Sequence, residues 1–202
     1  DEIKKGYKVY NMKLSVTQEN LSKALSNVSR VASGRNELPI LSNILLRTDS
    51  NRLLVAATNL EIASSHYIGT KIDKPGSITV PARLITDFIS SLPAGTVDLE
   101  VKGDHLHEVS GKFSSVINGI VADEFPELPT IDEKQSVTYE LKVEDFKEAV
   151  SQTIIACSSD TTRPMLTGVN WHTHEGNLYL ASTDGYRLAE RRLMKSDADL
   201  TA

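Results

Sequence analysis

The strongest constraint on this 202-residue chain is a long internal repeat. When the sequence is shifted by 125 positions without a gap, residues 14–64 align with residues 139–189 at ten identical positions and with matching apolar periodicity. Solenoid repeats have shorter periods of ~20–50 residues, so a repeat of this length indicates a duplicated domain. Because Ala202 aligns with Ser77, we expect the second copy to stop halfway through its domain.

The composition predicts a folded protein that is not uniformly basic. A hydrophobic content of 40% with 24% charged residues is ordinary for a globular protein with a packed core. No apolar stretch approaches the ~20 residues needed to span a bilayer, and the N-terminus lacks a signal-peptide core, so we expect a cytoplasmic protein without a membrane contact. The net charge of -5 excludes a coat of basic residues but allows a local basic surface for phosphate.

Apolar periodicity predicts an α+β fold with helices packed on one face of antiparallel sheets. In the first copy, Thr17 is a predicted helix N-cap, and the helix ends near Gly34. Its apolar face consists of Leu21, Ala24, Leu25, Val28, Val31 and Ala32. Strands are predicted at residues 14–16, 44–47, 53–57, 62–68, 77–80, 97–101, 105–109 and 114–117, with a second helix after Pro81.

The second copy repeats this pattern over a shorter length. A strand is predicted at residues 139–141 and a hairpin at residues 169–171 and 178–182. The apolar helix face is formed by Phe146, Ala149, Val150, Thr153, Ile154 and Cys157. Cys157, the one cysteine, is therefore expected to be a buried thiol; it excludes an internal disulfide and a Cys-rich zinc site.

Six motifs occur in a fixed order along the chain: Met12-Lys13-Leu14, Leu38–Asn43, Thr58–Glu61, Val80–Arg83, Asp123–Pro126 and Thr183–Ala189. In this order they resemble the bacterial β sliding clamp family, the processivity subunit of the replicative DNA polymerase. The resemblance runs from Met12 to about Leu193 and agrees with the internal repeat, since the family is built from tandem domains.

The resemblance implies tandem clamp-type domains. Residues 1–11 would be an extension or derive from cloning, residues 12–130 would form domain one, and residues 131–202 the first half of domain two, with the third domain absent. It also implies a non-enzymatic ring of two head-to-tail protomers when full length. Such a ring encircles duplex DNA without sequence specificity and needs no cofactor. It tethers the replicative polymerase, the clamp loader and other clients through short peptide motifs, and is associated with the polymerase activity of the holoenzyme.

The segment around residue 185 resembles part of the family's peptide-binding groove. In this sequence, Gly185 permits a tight turn, and Tyr186 and Leu188 could wall an apolar slot. The residues alone favour a hairpin turn followed by a half-buried strand, and the resemblance to the family is what favours the groove. The predicted groove residues are Arg163, Leu166, Thr183, Gly185, Tyr186, Arg187 and Leu188.

Four basic residues are candidates for a DNA-facing surface: Lys23, Arg30, Arg35 and Arg83. Arg35 matches a family position, in the loop after the first helix, where clamps present a basic residue to duplex phosphate. Lone arginines are often only solvated charges, and this alternative stays open for Arg30 and Arg83. Asp160, at the corresponding place in the second copy, departs from a basic pattern.

The second predicted helix carries more apolar residues than a single face packed against the core requires. The family places this helix at the boundary between protomers, so Leu84, Phe88 and Leu92 are candidates for the dimer interface. The spacing of these three residues is explained equally well by packing in the core of their own domain. Members of the family often carry an aromatic residue near the position of Ser115 at this boundary. In this sequence the nearest aromatic residue is Phe113.

An alternative function rests on His172, His174 and Asp184. Residues i and i+2 of a strand share a face, so two imidazoles and one carboxylate could serve a small metal-dependent hydrolase. No third ligand occurs at a recognisable spacing, and no catalytic triad or phosphate-binding loop is present. We therefore predict no functional metal site.

Overall fold

A computed structural model describes residues 11–32, 38–128 and 136–195. The described residues fall into two compact units, one within residues 1–130 and the other within residues 131–202. Each unit is an α+β assembly in which helices accompany antiparallel strands, as the periodicity predicts.

In the described part of the first unit, the two α-helices are α1 (Gln18–Ala32) and α2 (Ala82–Ser91). The predicted apolar stripe of α1 is buried, with Val31 partly buried at its edge. Thr17 is the last residue of a strand, and the predicted helix end at Gly34 lies outside the described residues. Within residues 11–32, 38–128 and 136–195, no helix has both the length and the apolar character that a membrane crossing requires.

The first unit contains two antiparallel sheets. The five-stranded sheet has the order β5-β1-β7-β8-β9, and the four-stranded sheet has the order β4-β3-β2-β6. The strands are β1 (Lys13–Thr17), β2 (Asn43–Asp49), β3 (Arg52–Thr58), β4 (Ala63–Gly69), β5 (Lys71–Lys74), β6 (Ser77–Pro81), β7 (Thr96–Lys102), β8 (His105–Ser110) and β9 (Phe113–Asn118). The sequence pattern missed β5, a short polar strand that forms by pairing with β1.

One apolar core joins both sheets of the first unit to α1 and α2. Alternate residues of the strands enter it, such as Leu14 and Val16 of β1 and Val97, Leu99 and Val101 of β7. This alternation of buried and exposed residues is what fixes the register of each strand, because a shift of one residue would turn its apolar set outward.

The second unit contains α3 (Val143–Thr153) and a three-stranded sheet of order β10-β11-β12. Its strands are β10 (Asn170–His174), β11 (Asn177–Thr183) and β12 (Leu188–Lys195). A shift of β3 by 125 positions gives residues 177–183, which are the bounds of β11. The internal repeat is thus also a repeat of structure.

Three sequence predictions for the second unit are wrong. Ile154, predicted on the apolar face of the helix, follows the last residue of α3 and is 54% exposed. Residues 139–141 form no strand, because no neighbouring strand pairs with them in the described part of this unit. Cys157 does not lie on the helix, which ends at Thr153 and continues as a 3-10 turn over Ile154–Ala156. The thiol is half-buried, and its Sγ lies 3.4 Å from the carbonyl oxygen of Gly168.

Candidate functional site

The turn between β11 and β12 is organised by the side chains of two consecutive residues. The hydroxyl of Thr183 accepts the backbone N–H of Gly185 at 3.0 Å and donates to the carbonyl of Arg187 at 2.7 Å. The carboxylate of Asp184 accepts the N–H groups of Tyr186 at 2.9 Å and Arg187 at 3.0 Å. These backbone hydrogen bonds are the main cause that lowers the pKa of Asp184 below its usual 3.8, and the Arg187 guanidinium adds to them.

The first unit contains the same turn at the equivalent positions. The Thr58 hydroxyl accepts the N–H of Leu60 at 3.1 Å and donates to the carbonyl of Ile62 at 3.0 Å. The Asn59 side chain accepts the N–H groups of Glu61 at 3.0 Å and Ile62 at 2.8 Å. A Thr followed by Asn or Asp therefore specifies this turn in both repeats, since short polar side chains of this kind replace backbone hydrogen bonds in turns.

The turn differs between the repeats at its third residue. Gly185 has a φ of +92°, and Leu60 at the equivalent position has a φ of +75°. A Cβ at Gly185 would lie 3.7 Å from Nη1 of Arg163, so the arginine lies directly beside the glycine. The structure thus brings together two of the predicted groove residues that are 22 positions apart in sequence.

The apolar side chains at this turn are exposed. Tyr186 is 96% exposed and Leu188 70% exposed, so neither is needed for the core of the second unit. Leu166 is half-buried in the 3-10 turn Pro164–Leu166, and the neighbouring Met165 is 92% exposed. Met165 is not among the residues predicted from the sequence. Its exposure in the structure is what marks it as a candidate. The exposed side chains of Tyr186 and Leu188 at this rigid polar turn suit a partner with apolar side chains of its own.

Three of the four predicted basic residues lie on the two helices of the first unit, and all three are exposed: Lys23, Arg30 and Arg83. Arg30 of α1 and Arg83 of α2 line one cleft of about 510 Å³ between these helices. Lys23 lies two helical turns before Arg30 and outside the residues that line the cleft. Arg83 is 3.6 Å from Asp87 in an exposed ion pair. Arg35 lies outside the described residues.

The three residues proposed for a protomer boundary differ in exposure. Leu84 is 56% exposed, whereas Phe88 is partly buried and packs against the core. Leu92 is buried in the core, so its prediction as an interface residue is wrong. Leu92 follows the last residue of α2, where its N–H donates to the carbonyl of Ile89 at 3.3 Å and its side chain packs in the core.

The residues of the alternative metal site do not converge. Nε2 of His172 is 3.7 Å from Glu190, and the ring stacks on Tyr179 at 5.4 Å. Nε2 of His174 is 3.7 Å from Glu175, and the carboxylate of Asp184 holds the turn. Across the described ranges, no three His, Cys, Asp or Glu side chains are grouped as metal ligands. The hydrolase alternative has no support in this geometry.

Comparisons with known proteins agree on one family. Residues 12–129 match the family model described as DNA polymerase III beta subunit, N-terminal domain, and residues 140–200 match the central domain of the same subunit. The chain is 33% identical to the beta sliding clamp of Bacillus subtilis over 190 residues, which cover 90% of this chain and 50% of the relative. It is 36% identical to the beta sliding clamp of Synechocystis over 189 residues, which cover 88% of this chain and 47% of the relative.

The fold is similar to that of a solved structure as well. The crystal structure of the DNA polymerase sliding clamp from Bacillus subtilis superposes with a TM-score of 0.87 at 30% identity, covering 94% of this chain and 52% of that one. The chain therefore spans about half the length of the curated relatives that it matches.

Proposed function

The chain belongs to the DNA polymerase III beta subunit family, and we propose that it is part of a sliding clamp for DNA replication. The clamp encircles duplex DNA, slides along it and tethers the replicative polymerase, with no catalysis of its own, in the cytoplasm. The observation that supports this most is the match of two consecutive clamp domains to two units that repeat each other in sequence and in structure.

The DNA-facing surface in this proposal is the exposed side of α1 and α2. Lys23, Arg30 and Arg83 supply positive charge there. Arg35, which lies outside the described residues, remains a candidate from the sequence alone. A clamp that slides must hold DNA by its phosphates and not by its base edges, because only phosphate contacts are the same at every step. Exposed cations on the helices meet that requirement, even though the chain as a whole is acidic.

The client-binding surface in this proposal is the turn of the second unit with Arg163 beside Gly185, together with Met165 and Leu166 of the 3-10 turn that follows Arg163. The turn is rigid because four hydrogen bonds from Thr183 and Asp184 hold its backbone. Tyr186 and Leu188 are exposed, so a peptide with apolar side chains can bury them. Preorganisation lowers the entropy cost of binding a short segment.

Assembly is proposed as a head-to-tail homodimer of the full-length protein. Leu84 remains a candidate for its interface because it is an exposed apolar residue on α2. Phe88, which is partly buried behind it, is a second candidate. The clamp loader and other clients are proposed to use the same turn in the second unit as the polymerase.

A primer-extension assay tests the proposal. The complete protein that contains this sequence is supplied with the clamp loader and replicative polymerase of its own source on a singly primed circular template. We expect long products with the wild type, shorter ones with Leu188→Ala, and wild-type length with Ile62→Ala, an exposed apolar residue of the first unit. Products of equal length with and without the protein would contradict the proposal.

A further inference from the structure

One hydroxyl group of α2 differs from its neighbours in the same helix. Thr86 is half-buried, and its Oγ1 is shielded from solvent without a hydrogen-bond partner among the described residues. The other two hydroxyl residues of α2 bond to the helix backbone: Ser90 donates to the carbonyl of Asp87 at 3.0 Å, and Ser91 donates to that of Phe88 at 2.7 Å. Buried polar groups are normally paired, so the Thr86 hydroxyl is suited to a partner from outside the chain.

Thr86 lines the cleft of about 510 Å³ between α1 and α2. Residues three and four apart share one side of a helix, so Thr86 lies on the same side of α2 as Ala82 and Arg83. The complete lining consists of Ser29, Arg30, Ala32, Ser42, Ala82, Arg83, Thr86 and Asp87. The shielded hydroxyl therefore borders a space that a ligand can enter.

The charged residues of the cleft favour an anion. They are Arg30, Arg83 and Asp87, two cations and one anion, so the lining has a net charge of +1. Arg83 is 3.6 Å from Asp87, but the two side chains are 92% and 70% exposed. An exposed ion pair is weak, and a guanidinium group binds phosphate through two parallel hydrogen bonds, so a phosphate group can replace the carboxylate on Arg83.

The first turn of α2 adds positive potential on the same side. The helix begins at Ala82, with Pro81 as its N-cap and no side-chain hydrogen bond to the cap within the described residues. The first N–H groups of a helix have no partner inside the helix, and its dipole is positive at this end. Ala82 and Arg83 of this turn both line the cleft, so an anion there lies close to the helix start.

We propose that Thr86 contacts DNA, with its hydroxyl donating to an oxygen of a backbone phosphate that Arg30 and Arg83 hold in the cleft. A phosphate has enough acceptor oxygens for both guanidinium groups and the hydroxyl. The inference rests on the proposed function, in which α1 and α2 form the DNA-facing surface, and it adds a neutral residue to that surface. Because phosphates are the same at every base pair, this contact carries no sequence preference.

Thr86→Val tests the inference, because it replaces the hydroxyl by a methyl group of similar shape. Fluorescence anisotropy with duplex DNA is measured on the complete protein at several salt concentrations. We expect the affinity to fall by ~2–10-fold at every salt concentration, as for the loss of one hydrogen bond. The slope of log K against log salt should stay that of the wild type, because a neutral hydroxyl displaces no counterion.

Chemical denaturation separates a DNA contact from a structural role. Removal of a buried hydroxyl without a partner relieves a desolvation penalty, so Thr86→Val should unfold at the same denaturant concentration as wild type or a higher one. Thr86→Ser keeps the hydroxyl and should keep wild-type DNA affinity. The matched control is Ser91→Ala, which removes a hydroxyl that the backbone of α2 already uses and should bind DNA like wild type.

Three results would overturn the role of Thr86: wild-type DNA affinity in Thr86→Val, equal losses in Thr86→Val and Thr86→Ser, or a lower unfolding midpoint for Thr86→Val. Failure of the proposed DNA surface has a different signature, in which Arg30→Gln and Arg83→Gln leave the salt slope unchanged. If the arginine variants lower the slope while Thr86→Val binds like wild type, the DNA surface is retained and only the contact by Thr86 is wrong.

Discussion

The carboxylate of Asp184 accepts the backbone N–H of Tyr186 at 2.9 Å, and this contact places the 96% exposed ring at the tip of the turn in the second unit. Asn59 makes the equivalent contacts in the first unit with a neutral side chain. The acceptor oxygen is therefore what shapes the turn, and the charge is not required.

Replacement of Asp184 tests this relationship. Asp184→Ala removes the acceptor for two backbone N–H groups, so we expect a less ordered turn and weaker binding of a short peptide rich in Gln, Leu and Phe. Asp184→Asn keeps the acceptor and should retain most of the affinity measured by calorimetry. Equal losses in the two variants would mean that the negative charge matters more than the turn.

The same group has a defined pH dependence. The folded pKa of Asp184 is lowered, so its contribution to the turn is present above the usual value of 3.8 and is lost as the pH falls through the lower folded value. Peptide binding through this turn should therefore not change between pH 5 and 8 on account of Asp184.

The third residue of the turn gives a pair of reciprocal predictions. Gly185→Ala forces a Cβ into a φ of +92° and should destabilise the second unit by ~1 kcal/mol or more. Leu60→Gly relieves a φ of +75° at an exposed side chain, and should stabilise the first unit by up to ~1 kcal/mol.

Denaturant melts measure both effects. Gly168→Ala is the matched control in the second unit, because its backbone is not in the left-handed region and its added Cβ meets nothing within 4 Å. If Gly185→Ala and Gly168→Ala melt alike, backbone strain is not what selects glycine at residue 185.

The buried residues of the first helix could be predicted from the sequence because helical periodicity alone determines which side chains share a face. The 3.6-residue period of Leu21, Leu25 and Val28 specifies a buried face whatever packs against it. By contrast, β5 has no such period, and its extended state depends on pairing with β1. The segment 139–141 has strand-like residues but no pairing partner in the described part of its unit.

The site was predictable to a similar extent. The sequence showed a glycine turn flanked by Tyr186 and Leu188, but the proximity of Arg163 to Gly185 is a tertiary contact that spacing cannot show. Thr86 was missed for a different reason. A threonine inside a helix commonly bonds to the helix backbone, and only the packed structure shows that this hydroxyl is shielded from solvent without a partner among the described residues.

The two leucines near α2 should respond differently to truncation. Leu92→Ala empties space in the core and should cost ~2–5 kcal/mol of unfolding free energy. Leu84→Ala removes an exposed side chain and should change the free energy by no more than ~0.5 kcal/mol. Chemical denaturation distinguishes them, and a large loss for Leu84→Ala alone would contradict the packing described for α2.

The basic surface predicts a change in salt dependence. Each cation that contacts phosphate contributes ~0.9 to the slope of log K against log salt, so Lys23→Gln, Arg30→Gln and Arg83→Gln should each lower the slope by about that amount. Arg52→Gln is the control, because Arg52 stacks on Tyr67 in the strands and lies on neither helix. Fluorescence anisotropy with duplex DNA at several salt concentrations measures the slopes. Slopes equal to that of the wild type in all variants would show that these residues do not contact DNA.

We propose that this chain is part of a ring that holds DNA by enclosing it. Gel filtration in high salt measures enclosure directly. It compares the amount of complete protein that stays on nicked circular plasmid with the amount that stays on the same plasmid made linear. High salt removes phosphate contacts, so only a topological link survives. The proposed clamp should stay with the circle and leave the linear DNA through its ends. Loss from both DNAs at the same rate would contradict the account.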